Sequence, residues 1–294
     1  MKPNKIFYFL TLTRPANIIT AVTDVLSGAS LAFFFNALDP DWAKLVMLLI
    51  TTSCLYAGGI VFNDVFDMEL DKKERPERLL PSGKITKRQA ITFGMVLFFM
   101  AVLSSAFVSP ISTLISLGVI TLALGYDGYF KTKVVLGPIF MGGCRCLNLM
   151  LGMSVMTIYT DLWYICFIPF LFISAITLTS RNEVRGNNRR SIVLALALDL
   201  SIIFCCFWFF SQSELFLKAL SFLLIWAVMN FYAKIRAIYS NSPKNIMYAV
   251  KIGVLSLIPL NAVFVALTTG WQLAFAVLAL LPLSMILSRT FTVT

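Results

Sequence analysis

The sequence predicts an all-α fold, a polytopic bundle of nine or ten transmembrane helices around a central cavity. Three observations carry that expectation. Of 294 residues, 59% are hydrophobic and 13% are charged, against roughly 25% charged in an average soluble domain. Apolar stretches of bilayer length, about 20 residues, recur along the whole chain. Basic residues gather in every second connection between those stretches.

Candidate spans fall at 16–36, 43–62, 89–108, 110–126, 138–158, 162–180, 191–211, 214–233, 247–269 and 271–288. The last two nearly abut, which leaves the count at nine or ten. Runs of this length exclude a β-barrel, whose strands alternate over about 10 residues. No Pro/Gly/Ser-rich linker, composition shift or low-complexity tract divides the chain, so residues 1–294 read as one domain. The start Met1-Lys2-Pro3-Asn4-Lys5 lacks a cleavable-signal pattern, because the apolar stretch behind it runs on into further spans.

Charge sets the expected orientation. One family of connections is basic: Lys72, Lys73, Arg75, Arg78, Lys84, Lys87 and Arg88, then Lys131 and Lys133, then Arg181, Arg185, Arg189 and Arg190, then Lys234, Arg236, Lys244 and Lys251. The opposite connections are short and carry Lys44 and Lys218. The positive-inside rule places the basic loops and the N-terminus in the cytoplasm, and the expected location is the inner membrane of a bacterium. The net charge of +10 is therefore a topology signal with anionic lipids as its partner. Its dispersal among several loops argues against nucleic acid.

Composition also limits the chemistry. Histidine is absent, which removes His-ligated zinc, Ser-His-Asp hydrolysis and His-ligated haem together. Cys54, Cys144, Cys146, Cys166, Cys205 and Cys206 all lie in apolar stretches and read as small buried hydrophobes. Acid–base or metal work falls to carboxylates, Asn, Lys, Arg, Tyr or Cys.

The 14 acidic residues are unevenly placed: six fall between Asp64 and Glu77, where the second span ends. In a helix Asn63, Asp67 and Asp71 recur at i, i+4 and i+8 along one face, with Asp64 flanking. Stacked oxygen donors repel one another unless a cation sits among them, and hard oxygen ligands suit Mg²⁺ bridging carboxylates to substrate phosphates. The bland reading is a solvated acidic helix end paired with Lys72, Lys73 and Arg75. Asp24, Arg145 and Asp199 add ionisable groups inside predicted spans, where such residues face a cavity or a partner.

Asn63-Asp64-x-x-Asp67-x-x-x-Asp71, followed by Glu74-Arg75-Pro76 and Leu80-Pro81-Ser82-Gly83-Lys84, resembles the UbiA superfamily of intramembrane prenyltransferases. Arg14-Pro15 with Asn17 is similar to that family's first-helix entry. Tyr126-Asp127, with Lys131 and Gly137, is similar to its Tyr-x-x-x-x-Lys loop, and Arg145 with Asn148 and Gly152 to its fifth-helix segment. The resemblance implies Mg²⁺-dependent transfer of a prenyl group from an isoprenyl diphosphate to a lipophilic or aromatic acceptor within the membrane. Charge is drawn from the leaving diphosphate and the acceptor captures the allylic cation.

It also implies roles. Asp67, Asp71, Lys131 and Arg145 are the catalytic candidates. Asn63, Asp64, Asp67, Asp71 and Glu183 are the metal ligands. Asn17, Arg75, Tyr126, Lys131, Arg145 and Asn187 contact substrate. Each has a plainer alternative: Lys131 as a topology-setting charge, Tyr126 as an interfacial anchor, Arg145 as the partner of Asp24 or Asp199.

The chain departs from the family at the second acidic motif. The stretch Ser180-Arg181-Asn182-Glu183-Val184-Arg185-Gly186-Asn187 has Ser180, Glu183 and Asn187 where the family has aspartates, and arginines around them. That pattern resembles the divergent EboC-like branch. It suggests one metal ion plus an arginine-assisted diphosphate site. It also keeps open a second reading, a catalytically altered member that binds or transports an isoprenoid-linked molecule. An ordinary secondary transporter is disfavoured, since no inverted repeat is visible.

Overall fold

The computed structural model describes residues 5–36, 39–156, 163–181, 186–211 and 213–291. Among them, α1 (Lys5–Leu12) leads into α2 (Pro15–Asn36), α3 (Trp42–Phe66), the short α4 (Met68–Glu74), α5 (Lys87–Ala106) and α6 (Pro110–Gly125). A π-helical turn, Tyr126–Phe130, precedes α7 (Leu136–Met153). A 3₁₀ turn, Trp163–Cys166, opens α8 (Phe167–Thr179), followed by α9 (Arg189–Phe210), α10 (Phe216–Tyr239), α11 (Pro243–Thr269), α12 (Trp271–Leu278) and α13 (Leu280–Thr290).

Nine of the described helical segments are long and apolar enough to cross a membrane, and Trp163–Thr179 is a shorter apolar tenth. Local chemistry sets their ends. Asp41 caps α3 through the Lys44 N–H at 3.1 Å, which holds the Asp41 carboxyl below its usual range. Thr86 and Gln89 form a reciprocal capping box on α5. Ser109-Pro110 and Ser242-Pro243 start α6 and α11 with a hydroxyl cap and proline at the first position. Gly270, at φ +88°, separates α11 from α12.

Helices α2, α3, α5, α6, α7, α8, α9, α10 and α11 pack as a closed ring in chain order, and α2 also packs on α7 across the middle. That crossing divides the ring into two lobes. The C-terminal lobe is filled by Phe172, Trp226, Phe222, Ile258 and Phe264. The N-terminal lobe packs Val25, Leu48, Leu55, Phe98 and Leu151 and holds the cavity. The crossing is tight because it is made of glycine: a Cβ on Gly28 would run into the Leu149 carbonyl, and one on Gly152 into the Val25 backbone. Small residues of this kind let membrane helices approach at backbone distance.

The predicted basic connections converge at one end. Lys131 pairs with Asp67, Arg14 with Asp64, Arg181 reaches the Val134 carbonyl at 3.4 Å, and the Asn188 N–H donates to Asn241 at 2.6 Å. The exposed Trp42, Trp163, Trp208 and Trp271 lie at the opposite helix ends, as expected of an interfacial aromatic belt. Several residues counted with the loop cations lie in helices, two of them well inside spanning ones. Helix α10 runs six residues past its predicted end, so Lys234 is buried inside it and pairs with Asp199 at 2.5 Å. Lys251 lies within α11.

Candidate active site

A cavity of about 310 Å³ opens among α2, α3, α6 and α7. Its mouth is polar, with Arg14, Asn17, Asn63, Tyr126, Asp127 and Lys131, and its walls are apolar, with Leu55, Ile60, Val119, Ala123 and Met141. Thr52, Arg145 and Asn148 form a polar floor beside Tyr56.

The acidic stretch reaches the mouth because α3 continues almost unbroken into α4. The Asp67 N–H donates to the Asn63 carbonyl at 2.9 Å, and Asp71 repeats the bond to Asp67 at 2.8 Å. The side chains nevertheless split into two sets. Asn63 donates to Asp127 at 2.6 Å and Asp67 takes Lys131, on the cavity side. Asp64 takes Arg14 at 2.5 Å and Asp71 takes Arg78 at 2.8 Å, with Arg78 also 3.8 Å from Asp64. Helix geometry explains the split: positions seven apart lie about 20° from each other around the axis, and positions eight apart about 80°. Asp71 therefore joins Asp64 rather than Asn63, and the expected single stripe becomes two.

As a result the carboxylates do not close into a cage. Among the described residues no group of three or more His, Cys, Asp or Glu side chains is placed to hold an ion, because each of Asp64, Asp67 and Asp71 is turned to a resident cation. Arg14 makes its contact from a strained position, φ +48°, at the break between α1 and α2, a sparsely populated conformation for a residue with a Cβ.

The floor is one buried network. Arg145 donates to Asp24 at 2.6 Å and Thr20 at 2.8 Å, and its guanidinium lies 5.1 Å from the Tyr56 ring centroid. Asn148 donates to Asp24 at 2.9 Å and accepts from Thr52 at 2.7 Å. Asn261 of α11 donates to the other Asp24 oxygen at 2.7 Å. Buried polar groups have to be satisfied in this way, and the partner of Arg145 is Asp24 rather than Asp199.

The model for the UbiA prenyltransferase family matches residues 25–253. The chain belongs to that family. The digeranylgeranylglyceryl phosphate synthase of Sulfurisphaera tokodaii is 30% identical over 179 residues, 60% of this chain and 62% of the relative. The synthase of the same name from Thermococcus onnurineus is 42% identical over 90 residues, 31% and 32% of the two chains. The matched stretch thus spans less than two thirds of the length of these curated relatives. A solved structure of a UbiA homolog from Archaeoglobus fulgidus, bound to DMAPP and Mg²⁺, shares the fold at TM-score 0.66 and 18% identity, over 92% of this chain and 99% of that one. A structure of a digeranylgeranylglyceryl phosphate synthase aligns at TM-score 0.68 and 20% identity over the same shares.

Within this UbiA family member the sequence-derived candidates fall into three groups. Asn17, Asn63, Tyr126, Lys131 and Arg145 line the cavity. Asp64, Asp67 and Asp71 stand beside its mouth without lining it, and Arg75 terminates α4, its N–H donating to the Asp71 carbonyl at 2.8 Å. Asn187 is exposed at φ +58°, and the next residue makes the contacts instead: Asn188 donates to the Leu178 and Thr179 carbonyls. Glu183 lies outside the described residues. Sequence reading missed Asp127 and Tyr56 as parts of the site. The available signal for Asp127 was its position four residues before Lys131, one helical turn away.

Proposed function

We propose that this protein transfers a prenyl group from an isoprenyl diphosphate to a lipophilic acceptor, with the cavity mouth and the basic loops on the cytoplasmic side of the membrane. One observation carries the reading: an apolar-walled cavity whose charged mouth sets Arg14 and Lys131 among carboxylates. That arrangement suits an amphiphile with a polyanionic head and a hydrocarbon tail. The names of the relatives support the donor class, and homologs have been solved with GPP or DMAPP and Mg²⁺.

The donor set fits Mg²⁺. It is all oxygen, and Mg²⁺ is usually held by one or two carboxylates together with waters and substrate phosphates rather than by an all-protein cage. Asn63, Asp64, Asp67 and Asp71 would hold it at the mouth, and once bound it would draw charge from the departing diphosphate. Lys131, Arg14 and Arg78 supply charge-assisted hydrogen bonds to phosphate oxygens as they leave their carboxylates. The C1–O bond of the donor breaks and the diphosphate leaves with the electron pair. The acceptor's nucleophilic atom bonds to C1 and passes its proton to the released diphosphate. Tyr126 and the apolar walls keep water from the allylic carbon.

The test is purified protein with Mg²⁺, labelled geranylgeranyl diphosphate and a glyceryl phosphate ether bearing a geranylgeranyl chain, the acceptor suggested by the relatives' names. Diphosphate release coupled to a longer product is expected, with Asp67→Ala lowering turnover at least 100-fold in folded protein. Donor binding with no release of diphosphate from the donor, whatever lipophilic acceptor is supplied, would overturn the reading in favour of a carrier.

A further inference from the structure

Four carboxylates meet at the cavity mouth, and three are matched by a cation: Asp64 by Arg14, Asp67 by Lys131 and Asp71 by Arg78. Asp127 is different. Its side chain takes one hydrogen bond, 2.6 Å from the neutral Asn63 amide, and no cationic nitrogen among the described residues comes within ion-pair distance. A carboxylate cannot donate, so Asn63 turns its NH₂ group to Asp127. The Asn63 amide oxygen and the second Asp127 oxygen are left as acceptors with no hydrogen-bond donor among the described residues.

Their placement matters. Asn63 and Asp127 both line the cavity, whereas Asp64, Asp67 and Asp71 do not. Asp127 sits in the π-helical turn, where the Lys131 N–H reaches back five residues to the Tyr126 carbonyl at 2.8 Å. Such turns insert a residue into helical register and re-aim the side chains around it. Asp127 shares the field of Lys131, whose ammonium is bonded to Asp67, and a partly buried carboxylate with no ion pair of its own is costly until a cation arrives.

We propose that Asp127 and the Asn63 side-chain oxygen are the cavity-side ligand pair for the divalent cation, bridging α3 to the π-helical turn. The site then takes a carboxylate from 126–130 and does not depend on the carboxylate-poor stretch at 180–187. The inference rests on the reading above that a divalent cation accompanies a diphosphate here.

The experiment uses the full chain in detergent with Mn²⁺ as the probe, inorganic pyrophosphate present, and binding read by electron paramagnetic resonance. Asp127→Asn should weaken Mn²⁺ binding at least tenfold, Asp127→Glu should hold it within about threefold, and Glu183→Gln should leave it within twofold. Equal thermal unfolding of the variants shows that they are folded. Unchanged Mn²⁺ affinity in Asp127→Asn overturns the proposal, as does an equal loss in Glu183→Gln or no Mn²⁺ binding by the parent. Prenyl transfer assayed on the same preparations separates the two claims. Turnover by the parent with no Mn²⁺ effect in Asp127→Asn sinks this inference alone. A tenfold effect without turnover sinks the prenyltransferase reading alone.

Discussion

Asp199 and Lys234 face each other at 2.5 Å, both fully buried, in a lobe whose core is mostly apolar. Trp226 and Asn230, two turns and one turn before Lys234 on α10, bury polar atoms that lack a hydrogen-bond partner among the described residues. A buried pair is costly to break and cheap to replace as a whole. Asp199→Ala should therefore cost about 3–5 kcal/mol, and the double replacement Asp199→Leu with Lys234→Met should return to within about 1 kcal/mol of the parent. Thermal unfolding in detergent measures both, and equal losses in the two variants would mean that the pair itself is not what matters. The same residue shows where sequence reading stops. A lysine near a predicted helix end counts as a loop charge, and nothing local reports that α10 carries on past it. At the mouth, spacing singled out Asn63, and the family resemblance singled out Tyr126 and Lys131. The choice of partner, Lys131 with Asp67 and Asn63 with Asp127, depends on how the faces of α3 and α6 are turned toward each other, which spacing along one helix does not encode.

Helix existence was legible because bilayer-length apolar runs leave few alternatives, and helix ends were less so. Predicted 138–158 became Leu136–Met153, and predicted 271–288 is broken at Ala279 into α12 and α13. The pairing of α2 with α7 was invisible to hydropathy, although its glycines were in plain view. Those glycines lead to a prediction at the scale of the element. Gly152→Ala forces a Cβ against the Val25 backbone, where no side chain can yield, and should cost at least 1–3 kcal/mol as overpacking does elsewhere. Gly59→Ala meets only the Ala123 methyl at 3.9 Å and should leave the unfolding temperature within a degree or two. Similar melting of both variants would show that the crossing tolerates separation.

For the molecule as a whole, orientation is the property the sequence speaks of most directly. A cysteine at Lys84 should be shielded from an impermeant maleimide in intact cells and labelled once the membrane is opened, and one at Lys44 should be labelled from outside; the reverse pattern would invert the protein. The expected cavity is present but lies in one lobe, since hydropathy carries no information on which helices touch across a ring. The α2–α7 crossing has a further effect on that cavity. Gly28 and Gly152 lie four residues beyond Asp24 and Asn148, so the contact that jams the two backbones also locks the register of the buried network. Neither helix can slide along the other without losing both. Arg14 and Asp24 are ten residues apart on the α2 side, about 15 Å at helical rise. The cavity thus works as a gauge of fixed depth between its charged rim and its buried floor. On the proposed function, a hydrocarbon chain longer than the gauge would meet Asp24, Asn148 and Asn261 at the floor, and its far end would have to turn aside between helices toward lipid.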